Sequence, residues 1–365
     1  MTVPEVAVSD VRAAAYRVPT ERPESDGTLE WDAVTVVIAE VDAGETTGIG
    51  YTYTDAGAAA LITGTLAGAV RGLDALSTNH AWWAMVRAIR NLGWPGVSAT
   101  AISALDTALW DLKAKLLGVC VADLLGRAHE AVPIYGSGGL TSYTEAELCQ
   151  QLAGWVEQGI PRVKMKVGRD PDADPRRVHA VREAIGPDAE LFVDANGAYS
   201  RSQALALAQR FYEDEVTWLE EPVSSNDLDG LRFVRDRAPA AMDIAAGEYG
   251  YEPGYFRRML DAGAVDVLQA DVTRACGITG LQAVGALCAA HEVPFSAHCA
   301  PQIHAHAAGA IGRLRHCEYF HTHARAEALL FDGVAAPRDG ALCPDPLRPG
   351  LGIELKHADA ERFRV

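Results

Sequence analysis

The chain has 365 residues, 49% hydrophobic and 22% charged, which describes a globular protein with room for a barrel of about 250 residues plus a smaller domain. A net charge of −17 and a pI near 5.0 exclude a surface built for nucleic acid or an anionic membrane, because both need clustered Lys and Arg. Seven cysteines without a C-x-x-C pair suit reduced thiols in a cytoplasmic protein better than a disulfide framework or a zinc site. Met1-Thr-Val-Pro-Glu-Val-Ala7 lacks the basic and apolar regions of a secretory leader, and no apolar run approaches the ~18 residues of a membrane span.

Residues 6–18 and 33–41 alternate as strands of an antiparallel sheet, with the polar, turn-rich Thr20-Glu-Arg-Pro-Glu-Ser-Asp-Gly27 between them as a loop or lid. Gly48-Ile-Gly-Tyr-Thr-Tyr-Thr54 ends a strand with small and hydroxyl-bearing residues that could reach a ligand. Tyr53 and Thr54 are therefore candidate substrate contacts, although Tyr51 and Tyr53 read equally well as aromatic packing. In 101–117, Ile102, Leu105, Leu109, Leu112 and Leu116 share one helix face, and Gly118 caps its end. Asp106 and Asp111 on this helix read as surface or interdomain partners. Residues 1–128 thus form an α+β domain that looks like a cover.

From Val132 the pattern becomes strand, loop, helix at a steady interval, the signature of a parallel barrel over 129–332. Strands fall at 132–136, 162–167, 191–194, 217–220, 243–246, 265–269, 294–297 and 314–319. Helices fall at 144–158, 175–185, 202–213, 228–235, 253–262, 278–290 and 301–311. This is a nearly complete TIM-type barrel. The Pro- and Gly-rich tail, 333–365, is too short for a domain and is expected to return to the first one.

The chemistry lies on the strand ends. Leu191-Phe-Val-Asp-Ala-Asn-Gly197, Trp218-Leu-Glu-Glu-Pro222 and Ala246-Gly-Glu-Tyr249 deliver Asp194, Glu220 and Glu248 to one rim. A single acid there caps a helix as readily as it does anything else. Three in register need a divalent cation, and oxygen-only ligands favour Mg²⁺ first and Mn²⁺ second. Asn196, two residues beyond Asp194, is a candidate substrate contact. Lys164 and Lys166 share a strand face beside these acids, where mutual repulsion and burial would lower their pKa toward that of a base. Asp271 and His298 end neighbouring strands and can form a dyad that fixes the imidazole tautomer. Glu318 on the last strand reads either as a salt-bridge partner of Arg315 or as a catalytic group.

Taken together, these motifs resemble the enolase superfamily, and within it the mandelate racemase subgroup. The resemblance spans the 104–113 helix, Lys-x-Lys, Val-Asp-Ala-Asn, Trp-Leu-Glu-Glu-Pro, Gly-Glu, the Asp and His, and Pro349-Gly-Leu-Gly-Ile353. It implies a modified TIM barrel, (β/α)₇β, under an α+β capping domain built from the N-terminal region and the C-terminal tail. It also implies Mg²⁺ on Asp194, Glu220 and Glu248, with Lys166 as base on one face and the His298–Asp271 dyad as acid/base on the other. Lys164 would meet the substrate carboxylate, and a protonated Glu318 would donate to the enediolate. The expected reaction is dehydration of a sugar acid to a 2-keto-3-deoxy acid. Racemisation or epimerisation of a 2-hydroxy acid is the alternative, and an inactive scaffold the alternative of another class. The sixth barrel strand ends in Asp271 and carries no lysine, which disfavours the muconate cycloisomerase and dipeptide epimerase branch. Cys276, where relatives often have glycine, is expected to affect only a loop. The resemblance further implies a homo-oligomer.

Overall fold

The computed structural model describes residues 6–365, so most of the N-terminal stretch read above for a leader lies outside the described residues. Three antiparallel strands open the chain: β1 (Asp10–Ser25), β2 (Glu30–Ala43) and β3 (Thr46–Tyr53). The expected loop over 20–27 is instead mostly strand. β1 continues to Ser25 through an irregularity between Pro19 and Glu24, where the unpaired residues accommodate Pro23, which has no N–H to give a ladder. Only the tip turns, with Asp26 Oδ1 accepting from the backbone N–H groups of Thr28 (2.6 Å) and Leu29 (2.7 Å). Ser25 and Asp26 pin this tip to the barrel, since their carbonyls accept from Thr141 N (2.9 Å) and Thr141 Oγ1 (2.7 Å).

The long helix Val97–Leu117 lies against the sheet and is buried along most of its length. Gly50 on β3 makes this approach possible, because a Cβ there would stand 2.3 Å from the Ala104 carbonyl oxygen. The helix also joins the two halves of the molecule. Asp106 accepts from Thr279 N (2.9 Å) and Thr279 Oγ1 (2.7 Å) at the barrel, while Asp111 accepts from Ile49 N (2.8 Å) and Leu351 N (2.6 Å). Asp106 is therefore an interdomain partner, while Asp111 ties the helix to β3 and to the C-terminal tail. The tail pairs its Glu354–Leu355 with Phe331–Asp332 and bridges Arg364 to Tyr16 of β1.

Eight parallel strands close the barrel: β4 (Val132–Ser137), β5 (Arg162–Lys166), β6 (Glu190–Asp194), β7 (Val216–Glu220), β8 (Asp243–Ala246), β9 (Val267–Ala270), β10 (Phe295–Ala297) and β11 (Leu314–Phe320). They pair in sequence order, and β11 pairs with β4 to complete the ring. Tyr135, Phe192, Trp218, Ala245 and Val267 form an apolar plug inside it. Helices connect all eight strands, and a further helix, His321–Leu330, follows β11 where the sequence offered no clear signal. Among the described residues, no helix is long and apolar enough to cross a membrane.

Candidate active site

Strand register does most of the positioning. Lys166 pairs with Asp194, and Asp194 with Glu220, so all three reach the same rim from β5, β6 and β7. Glu248 arrives two residues past β8 through Gly247, whose φ of 137° and missing Cβ let the chain pass the Gln269 carbonyl; a Cβ would stand 2.0 Å from that oxygen. Carboxylate oxygens of Asp194, Glu220 and Glu248 lie within 4.8 Å of one another, and all three residues are buried. A hard cation with ligands at about 2.0–2.1 Å holds neighbouring oxygens about 2.9 Å apart, a spacing that three carboxylates already gathered on one rim can close to, so the set fits Mg²⁺. Glu248 Oε2 has no hydrogen-bond donor, and Glu220 Oε2 is oriented by Trp218 Nε1 at 2.9 Å.

The two lysines differ in depth. Lys164 is fully buried, with Nζ 2.5 Å from Glu220, 2.9 Å from Glu318 and 3.4 Å from Asp194. It lies beneath the cavity and does not line it. Lys166 does line the cavity and reaches Asp194 at 2.5 Å. Burial works against both charges, but the surrounding carboxylates outweigh it and hold both pKa values above the ordinary lysine range. This is opposite to the expectation from the lysine pair alone, because the acids are nearer to each Nζ than the other lysine's charge can offset.

Across the barrel, β10 is three strand steps from β5 through β11 and β4. His298 follows β10, and its Nδ1 lies 2.9 Å from Asp271 Oδ2, which forms the expected dyad. Thr273 fixes Asp271 through its N–H and hydroxyl, both at 2.7 Å from Oδ1. His298 Nε2 stands 3.3 Å from Glu318 and 3.1 Å from Glu248 Oε2, the latter at ion-pair distance without hydrogen-bond alignment. Burial opposes the imidazolium, yet the charges around it raise the His298 pKa well above normal. Burial would also raise Glu318, but Lys164 and His298 overcome it and hold the carboxyl ionised. The protonated Glu318 implied by the resemblance is therefore not what this arrangement favours, and Arg315 pairs instead with Asp243.

Lys166, Glu248, His298, Glu318 and Asn196 converge on one cavity of about 180 Å³. Tyr53 and Thr54 do not line it. Tyr53 stacks on His323 with ring centres 3.5 Å apart and donates its hydroxyl to the His323 carbonyl at 3.3 Å, and Thr54 accepts from Thr100 at 3.0 Å. Their hydroxyls are taken up by protein contacts, as is that of Thr52, which donates to the Thr273 carbonyl at 2.7 Å. The hairpin tip supplies Asp26 and Trp31 to the wall instead. Sequence reasoning missed Arg274, which reaches Glu248 Oε1 at 3.3 Å, and His323, whose Nδ1 is buried without a partner. It also missed Cys299, 3.2 Å from Glu318 Oε2. Cys276 turns away from the cavity, its thiol accepting from Trp94 Nε1 at 3.0 Å inside the cap. All seven cysteines are free.

This geometry agrees with the comparisons to known proteins. Residues 10–126 match the mandelate racemase / muconate lactonizing enzyme N-terminal domain, and residues 147–360 match the enolase C-terminal domain-like family. The chain belongs to the enolase superfamily, in its mandelate racemase subgroup. It is 30% identical to a D-galactarolactone cycloisomerase of Agrobacterium fabrum (strain C58), over 98% of this chain and 99% of that protein. The crystal structure of a mandelate racemase/muconate lactonizing enzyme-like protein from Rubrobacter xylanophilus superposes with a TM-score of 0.97 at 54% identity, covering 98% and 100% of the two chains. L-talarate/galactarate dehydratase from Salmonella typhimurium LT2, liganded with Mg and L-lyxarohydroxamate, gives a TM-score of 0.90 at 26% identity over 99% and 93%.

Proposed function

We propose that this protein dehydrates a sugar acid, removing the proton α to a carboxylate and expelling the β-hydroxyl to give an enol that becomes a 2-keto-3-deoxy acid. The observation that carries this reading is the convergence of Lys166 and the His298–Asp271 dyad, from separate sides of the barrel, on one cavity beside three buried carboxylates. The α-proton of a carboxylate is very weakly acidic, so its removal requires positive charge already in place for the second negative charge of the enediolate. Mg²⁺ held by Asp194, Glu220 and Glu248, with Mn²⁺ as the second choice, supplies that charge when bound.

The chain's own groups divide the proton transfers. Lys166 Nζ faces the cavity from one side and would take the α-proton once Asp194, whose charge holds it protonated, is engaged by the cation. His298, oriented by Asp271 through Nδ1, presents Nε2 to the cavity and can hand a proton to the departing hydroxyl. Lys164, held by Glu318 beneath the cavity, stabilises the carboxylate end, and the Asp26–Trp31 tip shields the cavity from water. The substrates named for two relatives, a galactarolactone and talarate or galactarate, are aldaric acids or their lactones. They support a polyhydroxy substrate, and the cycloisomerase adds a ring oxygen as an alternative leaving group.

Racemisation or epimerisation of a 2-hydroxy acid is the second reading, favoured by two proton-transfer groups from separate sides of one cavity. Incubation of the Mg²⁺-loaded protein in D₂O with aldonic and aldaric acids, their lactones and mandelate separates the two. Dehydration predicts a 2-keto-3-deoxy acid carrying deuterium at the former β-carbon. Deuterium at the α-carbon of an inverted product, with no keto acid from any compound, would replace it by racemisation. Failure to bind Mg²⁺ at all would point to a scaffold.

A further inference from the structure

Beside the oxygen-only triad, the same cavity holds a second and chemically different cluster. His298 Nε2, Cys299 Sγ and Glu318 Oε2 form a triangle with edges of 3.4 Å (S to N), 3.2 Å (S to O) and 3.3 Å (N to O). Tetrahedral zinc, with bonds of about 2.3 Å to sulfur, 2.0–2.1 Å to nitrogen and 2.0–2.2 Å to oxygen, requires edges of roughly 3.3–3.6 Å. The three donors are spaced to within a few tenths of an ångström of that requirement, and the residues are 5%, 3% and 0% exposed. All three line the cavity, which leaves a fourth position open to a water or substrate oxygen.

The surroundings aim each donor inward. Asp271 takes the Nδ1–H of His298, so Nε2 is the nitrogen that offers a lone pair once a metal displaces its proton, the usual arrangement behind a metal-bound histidine. Ser137 (2.6 Å) and Lys164 (2.9 Å) occupy Glu318 Oε1, so Oε2 is the oxygen turned to Cys299. Cys299 and Ala300 are consecutive non-glycine residues in the left-handed region, with φ of 53° and 39°. This unfavourable backbone turns Sγ back onto His298, and His304 Nδ1 holds it through the Cys299 carbonyl at 2.7 Å. No C-x-x-C spacing announces the cluster, because its sulfur and nitrogen come from adjacent residues and its oxygen from the next strand.

We propose that His298, Cys299 and Glu318 are a second metal site, one that takes Zn²⁺ or another borderline-soft divalent cation. Binding breaks the Sγ–H bond and the Nε2–H bond of the imidazolium and forms a sulfur–metal and a nitrogen–metal bond, with both protons released to solvent. Burial and the charge of Glu318 hold the thiol protonated until a metal displaces that proton. The two sites sort their ions by ligand chemistry, since Mg²⁺ is held by oxygen and has little affinity for thiolate. Occupancy would sequester His298 Nε2 and halt proton transfer while Mg²⁺ stays in place, a consequence that rests on the function proposed above.

The test uses Co²⁺ as a spectroscopic probe on the full-length protein in saturating Mg²⁺. The expected result is a near-ultraviolet thiolate-to-cobalt band that saturates at one equivalent and is bleached by Zn²⁺. Cys299→Ser and His298→Asn should each lose the band while keeping the wild-type circular dichroism spectrum. Absence of the band from the wild-type protein, or a band of unchanged intensity in Cys299→Ser, would overturn the site. A band in the cobalt-loaded protein, with no sugar-acid turnover by the same protein in Mg²⁺ alone, upholds the site and overturns the proposed function alone.

Discussion

Replacing Asp106 by Asn should alter stability in a way that depends on pH. Asp106 is buried at the junction of cap and barrel, and burial outweighs its bonds from Thr279 and Ile278, pushing its pKa from 3.8 up to about 7. The folded protein therefore prefers the protonated acid, and the unfolded chain the ionised one, between those two values. Stability from this group is complete below pH 4 and is lost as pH rises toward 7. At ~1.36 kcal/mol per pH unit, the full loss is about 4 kcal/mol, of which roughly 2–3 falls between pH 5 and 7. Asn keeps the shape and stays neutral, with its oxygen accepting from Thr279 N and its amide donating to Thr279 Oγ1. Urea midpoints of both proteins from pH 5 to 8 should show the Asn variant gaining on the wild type as pH rises, then holding its lead above pH 8. A difference that is flat across this range, or that runs the other way, would refute the reasoning.

Other perturbations reach the site directly. Lys166→Ala and His298→Asn should each lower kcat by about 10²–10⁴-fold or more while leaving thermal stability near that of the wild type; full activity in either would remove that residue from proton transfer. Glu220→Gln removes one of the three ligand charges and should weaken Mg²⁺ binding in calorimetry by at least about tenfold. In Gly247→Ala, the new Cβ meets the Gln269 carbonyl at 2.0 Å with φ at 137°. The variant should lose roughly 1–3 kcal/mol or more of stability and bind Mg²⁺ poorly through displacement of Glu248; an unchanged melting temperature would contradict this.

The barrel and its acids were legible because each strand is a short apolar run with its candidate residue at its end or within two residues of it, and parallel register carries sequence spacing directly into space. Asp194, Glu220, Glu248, Asp271, His298 and Lys166 all follow that logic, and the structure brings them together. What lay outside it depends on contacts between distant segments. The composition of Thr20–Gly27 reads as a loop, yet cross-strand pairing with 30–31 and anchoring to Thr141 make most of it an arm. Tyr53 and Thr54 carry the right hydroxyls, but His323 and Thr100 occupy them, and neither partner is visible from a local pattern. Arg274 and Cys299 sit just past strand ends, where only the turn geometry shows which way a side chain points.

The most direct test is Mg²⁺-dependent loss of the α-hydrogen from sugar acids deuterated at that carbon, followed by NMR in ordinary water. The structure predicts that at least one galactarate, galactonate or related acid loses its label when Mg²⁺ is supplied, and that the Lys166→Ala, His298→Asn double variant releases none. Full retention of label in every acid by wild-type protein saturated with Mg²⁺ would contradict a site built to ionise that bond.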